Sequence, residues 1–222
     1  VVTLLDDFIG EEIDGDKWWA LQGTNASCEQ PIVLQDQLRG VIRMTTGADA
    51  GATMALNGVQ LQSNLNWRAS QGGLSAEFRL TMDAITAVAV FIGLTDQTAA
   101  LEMPFTLAAG DALTSNAADA VGVLFDTGAD TDNWWLVGVA ADIDAIKQDS
   151  AVAPVANTFE RWRIDLSATG VATFYRNGTL VGTAMAGAVT ASVLMTPVIA
   201  AFSRGAATRN IDCDLIDPQM QR

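Results

Sequence analysis

The chain has 222 residues and not one histidine. That absence excludes Ser-His-Asp and Cys-His nucleophile activation, imidazole-ligated zinc, and the side chain that most readily shuttles protons near neutrality. Cysteine is nearly absent too. Cys28 and Cys213 are the only two, too few for a disulfide-built scaffold. They read as small apolar residues, with one bridge open if the two terminal regions meet. Lysine occurs twice and arginine ten times against 26 acidic side chains, a formal charge of −14. Such a balance repels phosphate backbones and anionic lipid, which excludes nucleic acid and membrane surfaces as expected partners. Long apolar runs are missing as well. The longest, such as Ala84 to Leu94, falls short of the ~18 residues a membrane helix needs. No basic segment followed by an apolar one opens the chain, so no secretory leader is expected. Helical periodicity over ten or more residues is also lacking, as are repeats and Pro- or Ser-rich linkers.

What is present is the two-residue period of strands. Trp162, Ile164 and Leu166 alternate with Arg161, Arg163 and Asp165, and Val171 to Arg176 is rich in β-branched and aromatic residues. Asn177-Gly178 supplies a two-residue type I′ turn, in which both residues need φ > 0. Phe159 to Thr183 therefore predicts a three-stranded antiparallel meander. Leu74, Ala76, Phe78 and Leu80 share a second face, and Ala87 to Leu94 is apolar enough for a strand covered on both sides. Strands are expected near 3–9, 38–46, 52–63, 73–82, 87–95, 101–107, 120–126, 133–141, 159–166, 171–176, 179–184, 193–203 and 208–217. Leu107 to Ala120, with its Gly, Asp and Asn, reads as a loop. The sum is an all-β chain forming one domain over 1–222, a two-sheet antiparallel β-sandwich of jelly-roll type.

The order of these segments resembles the concanavalin A-like lectin/glucanase superfamily in its laminin-G-like branch. Leu5-Asp6-Asp7-Phe8 with Ile13-Asp14 and Trp18 looks like its first strand and following loop. Phe78-Arg79-Leu80 and Phe91-Ile92-Gly93-Leu94 look like paired strands of a concave sheet. Ile211 to Ile216 looks like a last strand returning beside the first. Glucanases of this superfamily carry two Glu and an Asp alternating along one strand, on one sheet face. The six glutamates here, at 11, 12, 29, 77, 102 and 160, do not fall in that pattern. Asp142-Ile143-Asp144 comes nearest and lacks a Glu. Catalytic residues are therefore expected to be none. A short Ala- and Gly-rich domain of this type without a catalytic set also resembles virion proteins of tailed bacteriophages.

Three groups of residues are candidate sites. Asp126, Asp130 and Asp132 lie on a Gly-containing loop of the kind that can ligate calcium, though no Glu closes it as in an EF-hand; a solvated acidic turn is the other reading. No other cofactor is expected. Six acids from Asp6 to Asp16 form either a cation site, an acidic patch for a basic partner, or an exposed loop pinned by Asp6 and Asp7. Trp18-Trp19 and Trp134-Trp135 should each place one ring in the core and its neighbour on the outer face. Trp19, Trp135 and Trp67 are thus the candidates for sugar stacking, while Trp162 is core. Two sequons, at Asn25 and Asn177, need no glycan to explain them.

The resemblance implies a non-enzymatic capsid decoration protein bound to the major capsid protein or other virion proteins, located on the virion after synthesis in the host cytoplasm. Self-association, with a trimer around a threefold, is an expected state. The alternative is a carbohydrate-binding module with a glycan as ligand. A glycoside hydrolase using an unrecognised carboxylate pair is the third reading.

Overall fold

Alternating side chains become two facing layers. The computed structural model describes residues 1–34, 40–49 and 54–221. Its strands begin with β1 (Val2–Thr3), β2 (Trp19–Gln22), β3 (Glu29–Val33), β4 (Ile42–Thr45), β5 (Gly58–Gln62) and β6 (Leu74–Met82). Next come β7 (Val88–Thr95), β8 (Phe105–Ala108), β9 (Ala112–Ser115), β10 (Ala120–Asp126), β11 (Trp135–Ala140) and β12 (Ile143–Asp144). The remainder are β13 (Gln148–Asp149), β14 (Glu160–Leu166), β15 (Ala172–Arg176), β16 (Thr179–Met185), β17 (Thr196–Ser203) and β18 (Asn210–Met220). Expected strand positions 38, 39, 52 and 53 lie outside the described residues, as do 50 and 51 of the intervening turn expected over 47–51.

One sheet has the order β16-β15-β14-β6-β18-β4-β3, with β1 added to β18. The other runs β12-β11-β10-β7-β17-β5-β2, with β13 added to β11. Every strand pair is antiparallel, and the fold is the expected jelly-roll sandwich. The meander forms as read, and Arg176 pairs with Thr179 across Asn177 (φ 50°) and Gly178 (φ 82°). The last strand returns beside the first, with Val2 opposite Met220.

One expected pairing is wrong. β6 and β7 do not pair; β6 lies between β14 and β18, and β7 between β10 and β17. The chain changes sheets between them, because β6 alternates buried and half-buried residues while β7 is buried throughout. A strand apolar on one face suits a layer with one side near water. A strand apolar on both faces needs cover twice.

The main core lies between the sheets and joins Phe78, Trp162, Ile164 and Phe174 to Val90, Ile92, Phe125 and Trp134. Trp134 and Trp162 meet edge to face at 5.7 Å. At roughly 1.5–3 kcal/mol for each large apolar side chain buried, this layer is the main source of stability. A second apolar cluster lies on the far side of the β7 sheet.

Candidate functional site

The registers of the second sheet line up the side chains of its outer face in rows. Trp135, Leu124, Phe91, Ala200, Gln60 and Leu21 form one row, and Val137, Gly122, Gly93, Val198, Gln62 and Trp19 the next. Gly122 and Gly93 are neighbours, and the Phe91 ring lies against both positions, so a Cβ at Gly122 would sit 2.4 Å from Cε2 of that ring. Across β11, β10, β7, β17, β5 and β2 this face carries a single carboxylate, Asp126, with Asp144 and Asp149 added at its edge by β12 and β13. A glucanase-like set of two Glu and an Asp has no counterpart on it.

Most of this face is closed. β8, expected as a strand at 101–107, and β9, which falls in the segment 107–120 read as a loop, form a hairpin that lays Phe105 and Leu107 on the apolar rows, with Met103 and Ala117 beside it. Phe105 packs on Phe91 at 5.6 Å. Trp135 does point to the outer face, opposite to Trp134, but the second cluster covers it and leaves it 7% exposed. Its expected role as an open sugar platform is corrected accordingly. Lys147 lies over its ring at 5.0 Å.

The acidic loop expected to ligate calcium holds this hairpin down. Asp126 is buried, ion-paired with Arg204, and accepts the backbone N–H groups of Leu107 (2.8 Å) and Gly128 (2.9 Å). Asp130 accepts from Gly110 N, while Asp111 accepts from Asp130 N and Thr131 N in return. Asp132 is exposed. Asp126, Asp130 and Asp132 therefore do not converge, and among the described residues no three Cys, Asp or Glu side chains are grouped to hold a metal ion. The physical reason is competition: a carboxylate filled by a guanidinium and two amides has little left for a cation.

Toward β5 and β2 the face turns polar, although Gln60 and Gln62 are themselves buried. Trp19 is 43% exposed at the edge strand β2, next to Gln62. Gln60 donates to Gln62 Oε1 at 2.6 Å, and Gln62 donates to Thr98 O at 3.0 Å. The Oε1 of Gln60 is buried without a hydrogen-bond partner. This pair escaped the sequence reading, although Gln60 and Gln62 alternate visibly with Val59 and Leu61. Trp67 behaves otherwise than expected. It is 4% exposed, bridges to Met195 through both backbone groups, and belongs to the main core. It floors a groove of about 530 Å³ shared with Lys17, Asn64, Asn66 and Gln71.

In the N-terminal acidic run, Asp6 accepts from Phe8 N and from Trp18 Nε1 at 2.7 Å, and Asp14 pairs with Lys17. Pinning is the reading of Asp6 that the geometry supports. Four carboxylates are buried among the described residues, Asp119, Asp126, Glu160 and Asp214. Glu160 accepts both Arg176 and Trp134 Nε1, Asp119 accepts Thr190 N, and Asp214 pairs with Arg79. Burial, with Asp119 and Asp142 nearby, holds the Asp96 carboxyl above its ordinary value. Cys28 and Cys213 are both free and buried.

No protein-family model matches the sequence, and no curated protein matches it either. Solved structures do match. A prokaryotic β-1,3-1,4-glucanase (lichenase) from a mouse hindgut metagenome superposes with a TM-score of 0.66 at 11% identity, covering 99% of this chain and 100% of that one. The Bacillus licheniformis β-glucanase gives 0.64 at 12% identity, covering 99% and 98%. The carbohydrate recognition domain of Emp47p gives 0.64 at 9% identity, covering 99% and 95%. At such identities the likeness is one of fold: a concanavalin A-like lectin/glucanase jelly roll.

Proposed function

We propose that the protein is a non-enzymatic structural component of a tailed-bacteriophage virion, a decoration protein seated on the head surface. The observation that carries the non-enzymatic part is the closed outer face of the β7 sheet. An apolar hairpin occupies it, and Asp126, the carboxylate buried beneath that hairpin, is neutralised by Arg204. Acid–base hydrolysis needs a protonated acid and a free carboxylate converging on one substrate bond. The buried carboxylates here are engaged by arginine or backbone N–H instead. A rigid sandwich of this kind binds through preformed loops and edges with little ordering cost. Its partner would be the major capsid protein, with copies meeting around a threefold. Purified protein should cosediment with assembled heads of the phage that encodes it and be abundant in virions by mass spectrometry. Absence from both would overturn the reading.

A carbohydrate-binding role is the second reading, favoured by Trp19 standing exposed on the edge strand β2. The same fold in a named carbohydrate recognition domain is consistent with it. A glycan array with and without Ca²⁺ tests it, with Trp19→Ala as the control. Blank arrays in both conditions would remove it.

A further inference from the structure

Two strongly exposed isoleucines lie three residues apart on one segment. Ile143 is 72% exposed and Ile146 is 88% exposed. Both lie on the excursion that follows β11, at the lateral edge of the sandwich. The chain leaves β11 through Ala141 (φ 50°) and Asp142 (φ 63°), closing a hairpin in which Ala140 faces Ile143. Neither turn residue is glycine, so the turn is held in a conformation that L side chains rarely adopt.

Several ties then fix the segment. Ala145 N donates to Gly138 O at 2.9 Å, and Lys147 sits over Trp135. The Gln148 side chain accepts from Thr183 N (2.7 Å) and Thr183 Oγ1 and donates to Thr183 O. That last link joins the edge of one sheet to β16, the edge of the other, where Leu180 is 56% exposed. The isoleucines thus project from a fixed backbone, and covering them orders little that is not already ordered.

Charge says what covers them. Asp142 and Asp144 stand on either side of Ile143 in the chain, both exposed, and their carboxylates make no hydrogen bond or ion pair among the described residues. The positive charge of Lys147 faces the Trp135 ring. The chain as a whole carries −14, so a second copy would bring like charge to this edge.

We propose that Ile143 and Ile146, flanked by Asp142 and Asp144, form the docking edge for a basic protein surface whose apolar hollows are ringed by Lys or Arg. This rests on the head-decoration reading and names the part of the chain that makes the contact. Apolar anchors inside a polar rim are the usual source of binding energy at such contacts, while the rim charges set approach rate and salt dependence.

The test is cosedimentation with assembled heads of the encoding phage. Ile143→Ser with Ile146→Ser should weaken binding by about thirtyfold or more, with thermal unfolding unchanged because both side chains face water. Asp142→Asn with Asp144→Asn should slow association and flatten its salt dependence. Ile32→Ser, on the opposite edge and 48% exposed, should leave binding intact. Heads that bind the double serine variant as tightly as the parent overturn the docking edge and leave the decoration reading standing. Loss of binding in Ile32→Ser alone likewise moves the contact elsewhere. Parent protein that binds no heads overturns both.

Discussion

Buried Asp126 and half-buried Arg204 form an ion pair that captures both backbone groups of one residue, Leu107. Asp126 accepts its N–H at 2.8 Å and Arg204 donates to its carbonyl at 3.1 Å. Through this clamp two side chains far apart in sequence hold the β8–β9 hairpin over the β7 sheet. The clamp decides what the sheet face can do.

Asp126→Ala should therefore destabilise the protein by about 3–5 kcal/mol, because it leaves a half-buried guanidinium without its partner. Denaturant unfolding measures this, and hydrogen exchange across 105–115 should show the hairpin loosening first. The double variant Asp126→Ala with Arg204→Ala should be less harmful than the two losses summed. Simple additivity would argue against a coupled clamp.

Gly122 tests the close approach beneath Phe91. A Cβ there would sit 2.3 Å from Ile92 O as well as against the ring. Gly122→Ala should cost about 1–3 kcal/mol or more through forced backbone shifts. Gly15→Ala, where nothing lies within 4 Å and φ is not positive, is the control and should be close to neutral. Equal midpoints for the two would contradict the packing described.

Asp96 sets a pH dependence with a definite sign. Its carboxyl is held above the ordinary value, chiefly by burial, so the folded protein binds its proton more tightly than the unfolded chain does. The penalty is present in full above the raised folded value. It is relieved as pH falls from there to the unfolded value near 3.8. Asp96→Asn should raise the melting temperature at pH 7, and the gain should vanish below that lower limit. A gain that persists at pH 3 would assign it to another cause.

Burial pushes both thiols upward, Cys213 more strongly than Cys28. Thiolate is the reactive form, so native protein should label slowly with a thiol reagent at pH 8 and release two equivalents on denaturation. Rapid native labelling of either would show an opening the fold does not contain.

How much of this could be read in advance depended on where each strand's signal resides. β14, β15 and β16 were legible because alternation and Asn177-Gly178 are local. β7 was legible because an unbroken apolar run has few alternatives. β2, β3, β9 and the two-residue strands β12 and β13 were missed. β3 carries Pro31, acceptable only because this is an edge strand, and Trp19 to Gln22 has no clear alternation. Ala112–Ser115 is a strand because Leu113 packs against the apolar face and because it pairs with β8. Nothing within four residues announces that. The site fared similarly. Trp18 and Trp134 inward, with Trp19 and Trp135 outward, follows from strand geometry, whereas the covering of Trp135 and the burial of Trp67 depend on distant segments.

By itself the sequence determined the antiparallel sandwich and its sharpest hairpin, since each follows from neighbours along the chain. The tertiary structure alone decided the neighbours of β6 and β7, β14 and β18 for the one and β10 and β17 for the other. It paired Asp126 with Arg204 rather than with its neighbouring acids, and left Ile143 and Ile146 facing water. Those outcomes depend on which remote surfaces meet, and burial there is a property of the packed whole that no local pattern encodes.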